Sequence, residues 1–293
     1  MRGKHLRDFE SIIPETELIL NPDGSVYHLG ITGDQIAEDV WIVGDPERVP
    51  LITQHFDRVD IRVQRREFVV HTGELNGKRL TVVSSGIGVD NIDIVINELD
   101  AAVNVDPQTR KVRKQHGALR FLRLGTSGAI QPDIELGTVI ASRYAFAKDG
   151  VPLSYEYEFS QDEQDLLSAL EEDGRSASGL YAVACGTALL ARYPIFNLQG
   201  ITYTANGFYG PQGRSVRLKS KQDDLEKDQN FQYQGHRITN YEMECAGLYG
   251  MAALLGHQAL TCCVILANRA NRTFAPNAAQ LAEKLIQSAL QAF

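Results

Sequence analysis

Two glutamates stand one residue apart in NYEMECAGLY (240–249), at the front of a stretch in which nearly every side chain from Cys245 to Leu255 is apolar or small. A helix of that composition is apolar all round and is therefore buried. Its opening carboxylates, Glu242 and Glu244, are buried with it, and an ionised carboxylate out of water is costly unless cations or hydrogen-bond donors surround it. Two readings follow: acids favouring a helix N-terminus on dipole grounds, or a site where arginines or a ligand supply the donors. Arg123 raises the complementary question. It lies inside RFLRLG (120–125), which reads as a buried strand, two residues before a predicted Gly-Thr-Ser-Gly turn. A buried guanidinium implies an acidic partner or an anionic ligand. With Arg48, the backbone N–H groups around Gly44 and the Thr126 hydroxyl, it composes a phosphate cradle of charge-assisted donors. Taken singly, each arginine reads as a structural ion pair; two strand-end arginines beside two Gly turns point to an anion site.

The loop GFYGPQGR (207–214) adds an aromatic pair, then an amide and a cation two residues apart, on a turn held by Gly and Pro. Such a loop can stack Phe208 on a flat ring while Gln212 and Arg214 meet its edge in the ring plane; it reads equally as a surface turn with a solvated Arg. His28 in VYHLG reads, by itself, as a structural histidine. Gly86-Ile87-Gly88 reads as a tight turn. The four cysteines, Cys185, Cys245, Cys262 and Cys263, have no zinc-like spacing and sit in apolar runs, so they read as buried thiols and no metal site is expected.

These residues need a scaffold that gathers strand ends. Apolar, β-branched runs at 40–43, 79–85, 120–125, 138–146, 180–186, 201–205 and 259–267 predict buried strands. Between them lie helical stretches: NIDIVINELDAAV after Asp90, QDLLSALEED after Glu163, NYEMECAGLYGMAALLG, and a last helix from Asn277. This alternation predicts an α/β fold, a single domain over 26–293 with a mixed central β-sheet flanked by helices, preceded by an N-terminal extension, 1–25. Ligands in such sheets gather at the carboxyl ends of the strands. The run KSKQDDLEKDQ (219–229) reads as a solvated helix or loop without chemistry. A hydrophobic share of 43% and a charged share of 23% fit a globular protein. The formal net charge of -8 argues against a nucleic-acid polymer or an anionic membrane as partner. No segment approaches the ~20 apolar residues of a membrane span, and MRGKHLRDFE lacks a signal peptide's apolar core, so a soluble cytoplasmic protein is expected.

In this order, YHLGIT (27–32), GDPERV (44–49), RREF (65–68), SSGIG (84–88), RFLRLGTSGAI (120–130), GFYGPQGR (207–214), NYEME (240–244) and NR (268–269) resemble the nucleoside phosphorylase/uridine phosphorylase family. The resemblance implies reversible phosphorolysis of a nucleoside in salvage, by a homodimer with active sites shared between subunits or a hexamer built of such dimers. It implies that Glu244 takes the ribose 2′ and 3′ hydroxyls, that Met243 packs on the ribose and that Glu242 lines the same pocket. It assigns phosphate to Gly44, Arg48, Arg123 and Thr126, with Arg66 reaching in from a neighbouring subunit, where His28 meets the ribose 5′-hydroxyl. The base falls to Ser127, Gly128, Phe208, Gln212, Arg214 and Arg269, and catalysis to Arg123, Gln212 and Arg214. No cofactor is implied; inorganic phosphate is a co-substrate. Three departures stand out. Val89-Asp90-Asn91 replaces the residues with which some members build an interfacial potassium site together with a Glu matching Glu67. Asn206-Gly207 replaces a more usual acidic residue, and Gly210-Pro211 reverses a Pro-Gly order.

Phosphorolysis needs an anion held on one face of C1′ and stabilisation of the departing base on the other. Purine enzymes of the family carry an aspartate general acid where this chain has Asn268, so a pyrimidine nucleoside, uridine above all, is the expected substrate. The rival readings are a purine nucleoside phosphorylase, a hydrolytic nucleosidase, which would not require an arginine cradle, and a catalytically silent nucleoside-binding protein.

Overall fold

The computed structural model describes residues 6–156, 158–222 and 224–293. Residues 1–5 of the predicted extension and one position of the 219–229 run lie outside them. The chain forms two compact units, Met1–Leu122 with Met251–Gln258, and Arg123–Gly250 with Ala259–Phe293.

The first unit contains β1 (Asp39–Val43), α1 (Arg48–Thr53), β2 (Arg58–Arg65), β3 (Phe68–Leu75), β4 (Lys78–Ser84), α2 (Val89–Asn104) and the short pair β5 (Val105–Asp106) and β6 (Lys111–Val112). Its strands are ordered β1-β4-β3-β2. β1 is buried along its whole length and runs parallel to β4, with Val43 opposite Ser84. The hairpin β2–β3 escaped sequence prediction, because the alternating charges of RVDIRVQR suit an exposed edge rather than a core strand. Asn76 and Gly77 turn β3 into β4, both at positive φ (53° and 72°), as a two-residue hairpin turn requires. The corresponding β2–β3 turn is Arg66-Glu67, with Arg66 at φ 53°. Helix α2 buries Val89, Ile92, Val95, Ile96 and Leu99 along one face, and Glu98 beside them. The described part of the predicted extension is tied to this unit by Arg110, which donates to the carbonyls of Ile13, Pro14 and Leu18.

The second unit takes most of β7 (Arg120–Ala129), then β8 (Val139–Ala147), α3 (Gln161–Glu172), β9 (Tyr181–Ala184), α4 (Thr187–Arg192), β10 (Gln199–Thr204), α5 (Leu225–Asn230), β11 (Gln232–Tyr233), β12 (His236–Glu242), most of α6 (Cys245–Leu254) and of β13 (Gln258–Asn268), β14 (Thr273–Phe274) and α7 (Ala278–Ala292). Its strands run β11-β12-β10-β8-β13-β7. β10 is parallel to β8 and β12, and β13 is antiparallel to β8, so the sheet is mixed, as expected of this α/β fold. The far end of β7 also pairs with β12, Ala129 opposite Asn240 and Gly128 opposite Tyr241, and the sheet closes on itself.

That closure corrects two expectations. Gly125-Thr126-Ser127-Gly128 is not a turn: β7 continues through it to Ala129, where β12 pairs with Gly128 and Ala129. The helix predicted from Asn240 begins only at Cys245, because Ile238 to Glu242 extend β12 beside β10. From Cys245 to Ala253 the helix is buried on every side, as its composition requires. The core under this sheet includes Tyr144, Phe146, Leu166, Leu170, Ile201 and Ile238. Among the described residues no helix is long and apolar enough to cross a membrane.

Candidate active site

β7 carries Arg123 into the interior of the second unit, where only 3% of it remains exposed. Its Nη2 donates to Glu244 Oε2, and its Nη1 lies 3.1 Å from Glu242 Oε2 and 3.4 Å from the Sγ of Cys263 on β13. Gly125 makes this arrangement geometrically feasible: a Cβ there would stand 2.6 Å from Nη1 and 2.9 Å from Cys263 Sγ. The Nε of Arg123 is buried without a hydrogen-bond partner among the described residues. Burial opposes the charge of Arg123, yet Glu244, Cys263 and Glu242 together hold its pKa above the ordinary arginine value.

The two glutamates differ. Glu242 Oε2 accepts the backbone N–H groups of Glu244 and Cys245, both at 2.9 Å, which caps α6, while Oε1 accepts the Thr204 hydroxyl at 2.5 Å. The Thr204 oxygen in turn accepts the N–H of Ala246 at 2.9 Å. Burial raises the Glu242 pKa, with Arg123 pulling the other way and the second carboxylate adding to the rise. Two acids therefore share one cation. Met243, between them, is half-buried, as are Thr126 and Ser127 on β7. Ser127 Oγ accepts from Asn240 Nδ2 at 3.0 Å.

A second cluster of cations lies in the loop after β10. Pro211 and Gln212 turn in a short 3-10 helix that ends at Gly213, φ 74°. Gln212 is buried; its Nε2 donates to Gly207 O at 3.1 Å and its Oε1 accepts from Arg214, leaving each end of the amide a further hydrogen-bonding capacity. Arg214 also lies over the Phe208 ring, 4.0 Å from its centroid, so one face of that exposed ring is already covered. Arg269, just past β13, donates to the Gln212 carbonyl and lies 5.2 Å from the Tyr241 ring centroid. Burial lowers the pKa of Arg214, with Arg269 adding to the effect, and burial likewise lowers that of Arg269. Among the described residues neither guanidinium forms an ion pair, although the charge of Asp228 reaches Arg269, and two such cations beside Gln212 suit an anion with a flat, polar edge. Gly128 leaves Arg214 Nη2 3.8 Å away from where a Cβ would stand. A cleft of about 840 Å³, lined by Tyr203, Asn206, Tyr209 and Arg214 among others, opens beside the loop.

Asn268 is 2% exposed and fully committed. Its Nδ2 donates to the carbonyls of Gln131 (2.9 Å) and Ile134 (2.7 Å), and its Oδ1 accepts the N–H of Asn271 at 2.9 Å. An aspartate here would set a carboxylate against two carbonyl oxygens.

In the first unit, Gly44 and half-buried Arg48 follow β1, and Asp45 Oδ1 holds the turn by accepting the N–H of Glu47 at 2.9 Å. A Cβ on Gly44 would stand 3.2 Å from the carbonyl of Gly86, so the loops after β1 and β4 lie against one another. Arg66 sits exposed at the tip of the β2–β3 hairpin in a left-handed conformation that a non-glycine residue adopts at a cost. His28 faces Glu98 of α2, Nδ1 to Oε1 2.6 Å. Sequence reasoning missed Gly125, Thr204, Cys263, Asn240 and Glu98, each of which acts through a partner on another strand or helix; only Gly125, a glycine within a strand, carried a local signal.

A family profile described as the phosphorylase superfamily matches residues 39–293. The uridine phosphorylase of Thermococcus kodakarensis is 32% identical over 271 residues, covering 89% of this chain and 82% of the relative. That of Salmonella typhimurium is 30% identical over 258 residues, 86% of this chain and 89% of the relative. Among solved structures, a Trypanosoma brucei nucleoside phosphorylase described as showing uridine phosphorylase activity superposes with a TM-score of 0.84 at 28% identity, covering 94% of this chain and all of that one.

Proposed function

Because the chain belongs to the phosphorylase superfamily, we propose that it catalyses the reversible phosphorolysis of a pyrimidine nucleoside, uridine and phosphate to uracil and ribose 1-phosphate. The names of the uridine phosphorylases it resembles support the substrate. The observation that carries the reading is the pair of guanidiniums without an ion-pair partner among the described residues, Arg214 bonded to the buried amide of Gln212 and Arg269 to its backbone carbonyl. A uracil leaving group gathers negative charge on O2 and O4, and fixed donors aimed at that charge stabilise the transition state more than the ground state. In this reading a phosphate oxygen forms the new bond to C1′ as the C1′–N1 bond breaks and its electron pair passes into the uracil ring. The uracil anion then takes its proton from water. No aspartate general acid is needed, and the amide of Asn268, held by two carbonyls, supplies none.

The same reading gives the phosphate to Gly44, Arg48, Arg123 and Thr126, with Arg66 reaching in from a neighbouring subunit, and gives the ribose hydroxyls to Glu244, with Met243 against the sugar. Glu242 serves the site by capping α6 and holding Arg123. Ser127, Gly128 and Phe208 border the base. Arg66 and His28 act on a neighbouring subunit, so the working enzyme is a homodimer or a hexamer of dimers. The bond-making and bond-breaking steps written here draw on no metal; Glu67, which the resemblance matches to a ligand of an interfacial potassium in some members, accepts an amide N–H from Asn91 at 3.3 Å.

Uracil release from uridine should require inorganic phosphate, yield ribose 1-phosphate and exceed hypoxanthine release from inosine by at least about tenfold, the scale on which unmatched polar groups discriminate. Release at the same rate in phosphate-free buffer would overturn phosphorolysis, and equal rates on inosine would overturn the pyrimidine assignment. Mixing Arg66→Ala with Glu244→Ala protein under subunit exchange should restore part of the activity lost by each. Proven exchange without recovery would remove Arg66 from the neighbouring subunit's site.

A further inference from the structure

The run 219–229, expected to be solvated, buries one of its acids: Asp228 on α5 is 3% exposed. A carboxylate taken out of water is costly unless its partners offset the loss. Its Oδ1 accepts from Arg175 and its Oδ2 from the hydroxyl of Tyr241. Arg175 is buried as well, lies 5.4 and 4.9 Å from the ring centroids of Phe146 and Phe231, and also donates to Asp173, so one cation serves two acids. The Tyr241 ring is held edge-on by Tyr203, centroids 5.1 Å apart, and its centroid lies 5.2 Å from the guanidinium carbon of Arg269. Asp228, Tyr241, Gln212 and Arg269 all line one cavity of about 100 Å³. Burial works against the Arg269 charge, and the Asp228 carboxylate opposes that effect. An anchor for α5 would need Arg175 alone; the second oxygen of Asp228 goes to the residue that carries a cation of the base cluster.

We propose that Asp228 is a positioning residue for the departing base: through the Tyr241 hydroxyl it fixes the aromatic face on which Arg269 lies, and so aims that guanidinium at the charge developing on the base. This rests on the reading that Arg269 meets the base, and adds to it the residues that hold it there. Two effects act in the same direction. The hydrogen bond to Asp228 locks the Tyr241 ring in one orientation, and a carboxylate accepting the phenolic proton enriches the ring in electrons, which strengthens its attraction for a cation. A guanidinium fixed before the reaction stabilises developing charge without having to reorganise. With the link cut, Arg269 keeps its bond to the Gln212 carbonyl but loses its fixed platform. The loss falls hardest on a leaving group that depends most on outside stabilisation, so uridine suffers more than a nucleoside whose base is more acidic.

The test is a double-mutant cycle on kcat/KM for phosphorolysis. Asp228→Asn, which keeps the shape and removes the charge, is measured in wild-type and Arg269→Met backgrounds, on uridine and on 5-fluorouridine, whose base leaves as a more stable anion. In the wild-type background it should lower kcat/KM on uridine by about tenfold, the scale of a lost hydrogen bond to a charged group, and on 5-fluorouridine by less than about fivefold. With Arg269 already replaced, the same substitution should cost less than about twofold, the scatter of such cycles. Losses equal in both backgrounds, or equal on the two nucleosides, would make Asp228 an anchor of α5 alone and overturn the proposal, as would no loss on uridine. Tyr241→Phe removes only the hydroxyl and keeps every charge; it repeats both comparisons, and decides by itself should Asp228→Asn fail to fold. A wild type that releases no uracil from uridine would overturn the proposed function first, whereas uridine phosphorolysis with additive losses overturns only the role of Asp228 behind Arg269.

Discussion

Arg123 is held where it is by the absence of a side chain at Gly125. An added methyl there would press on Nη1 at 2.6 Å and on Cys263 Sγ at 2.9 Å, and the guanidinium cannot simply swing aside, because Glu242 and Glu244 hold its two ends. Displacements of well under 1 Å at a reacting group are expensive. Gly125→Ala should therefore lower kcat/KM for phosphate by about tenfold or more, with a smaller change in the uridine KM, in steady-state kinetics with each substrate varied in turn. Equal changes for both substrates would mean that Arg123 does not serve phosphate. At this scale the sequence is legible in part. That Glu242 and Glu244 are buried and that Arg123 needs acids follows from residue type and neighbourhood alone. Which glutamate caps the helix does not: the dipole reading holds for Glu242, whose oxygens take the first N–H groups of α6, and the ion-pair reading holds for both.

At the scale of elements, the site hangs on the junction of β10, β12 and α6. Thr204, at the end of β10, donates to Glu242 and accepts from Ala246 N–H, so one hydroxyl ties a strand end to the first turn of a buried helix. Thr204→Val keeps the shape and removes both bonds. With a buried N–H and a carboxylate oxygen left unmatched, at about 1–3 kcal/mol each, the loss should be roughly 2–6 kcal/mol, read from denaturant unfolding as a lower midpoint at unchanged slope. A loss under half a kilocalorie would show that water replaces the hydroxyl. The strands β1, β4, β8, β10 and β13 were readable from their apolar, β-branched runs, and α2, α3 and α7 from their periodicity. The continuation of β7 through Gly125 to Ala129 and the start of α6 at Cys245 were not, because glycines and a mixed polar stretch have no strong local preference and take the conformation their partner strand offers. The β2–β3 hairpin hid behind its charges for the converse reason: an edge strand has no need to look apolar.

At the scale of the molecule, all four cysteines are free and buried, and burial raises their pKa values, that of Cys263 to about 12. Protonated and shielded thiols are unreactive. Ellman's reagent should therefore titrate no thiol rapidly in native buffer and four in denaturant, with the slow native rate reporting how often the fold opens. One thiol reacting within seconds would place a cysteine at a mobile surface. The order of the motifs from YHLGIT to Asn268-Arg269, the α/β class and the chemical character of each cluster were determined by the sequence itself, since residue types and short spacings carry that information within a few positions of chain. The tertiary structure alone decided who meets whom. Arg123 finds Glu244 121 residues away and Cys263 140 residues away, and Glu98 reaches His28 across 70. No local propensity encodes such pairings, because they are selected by how strands stack and close, and the free energy that selects them comes from burying whole elements rather than from the residues that do the chemistry.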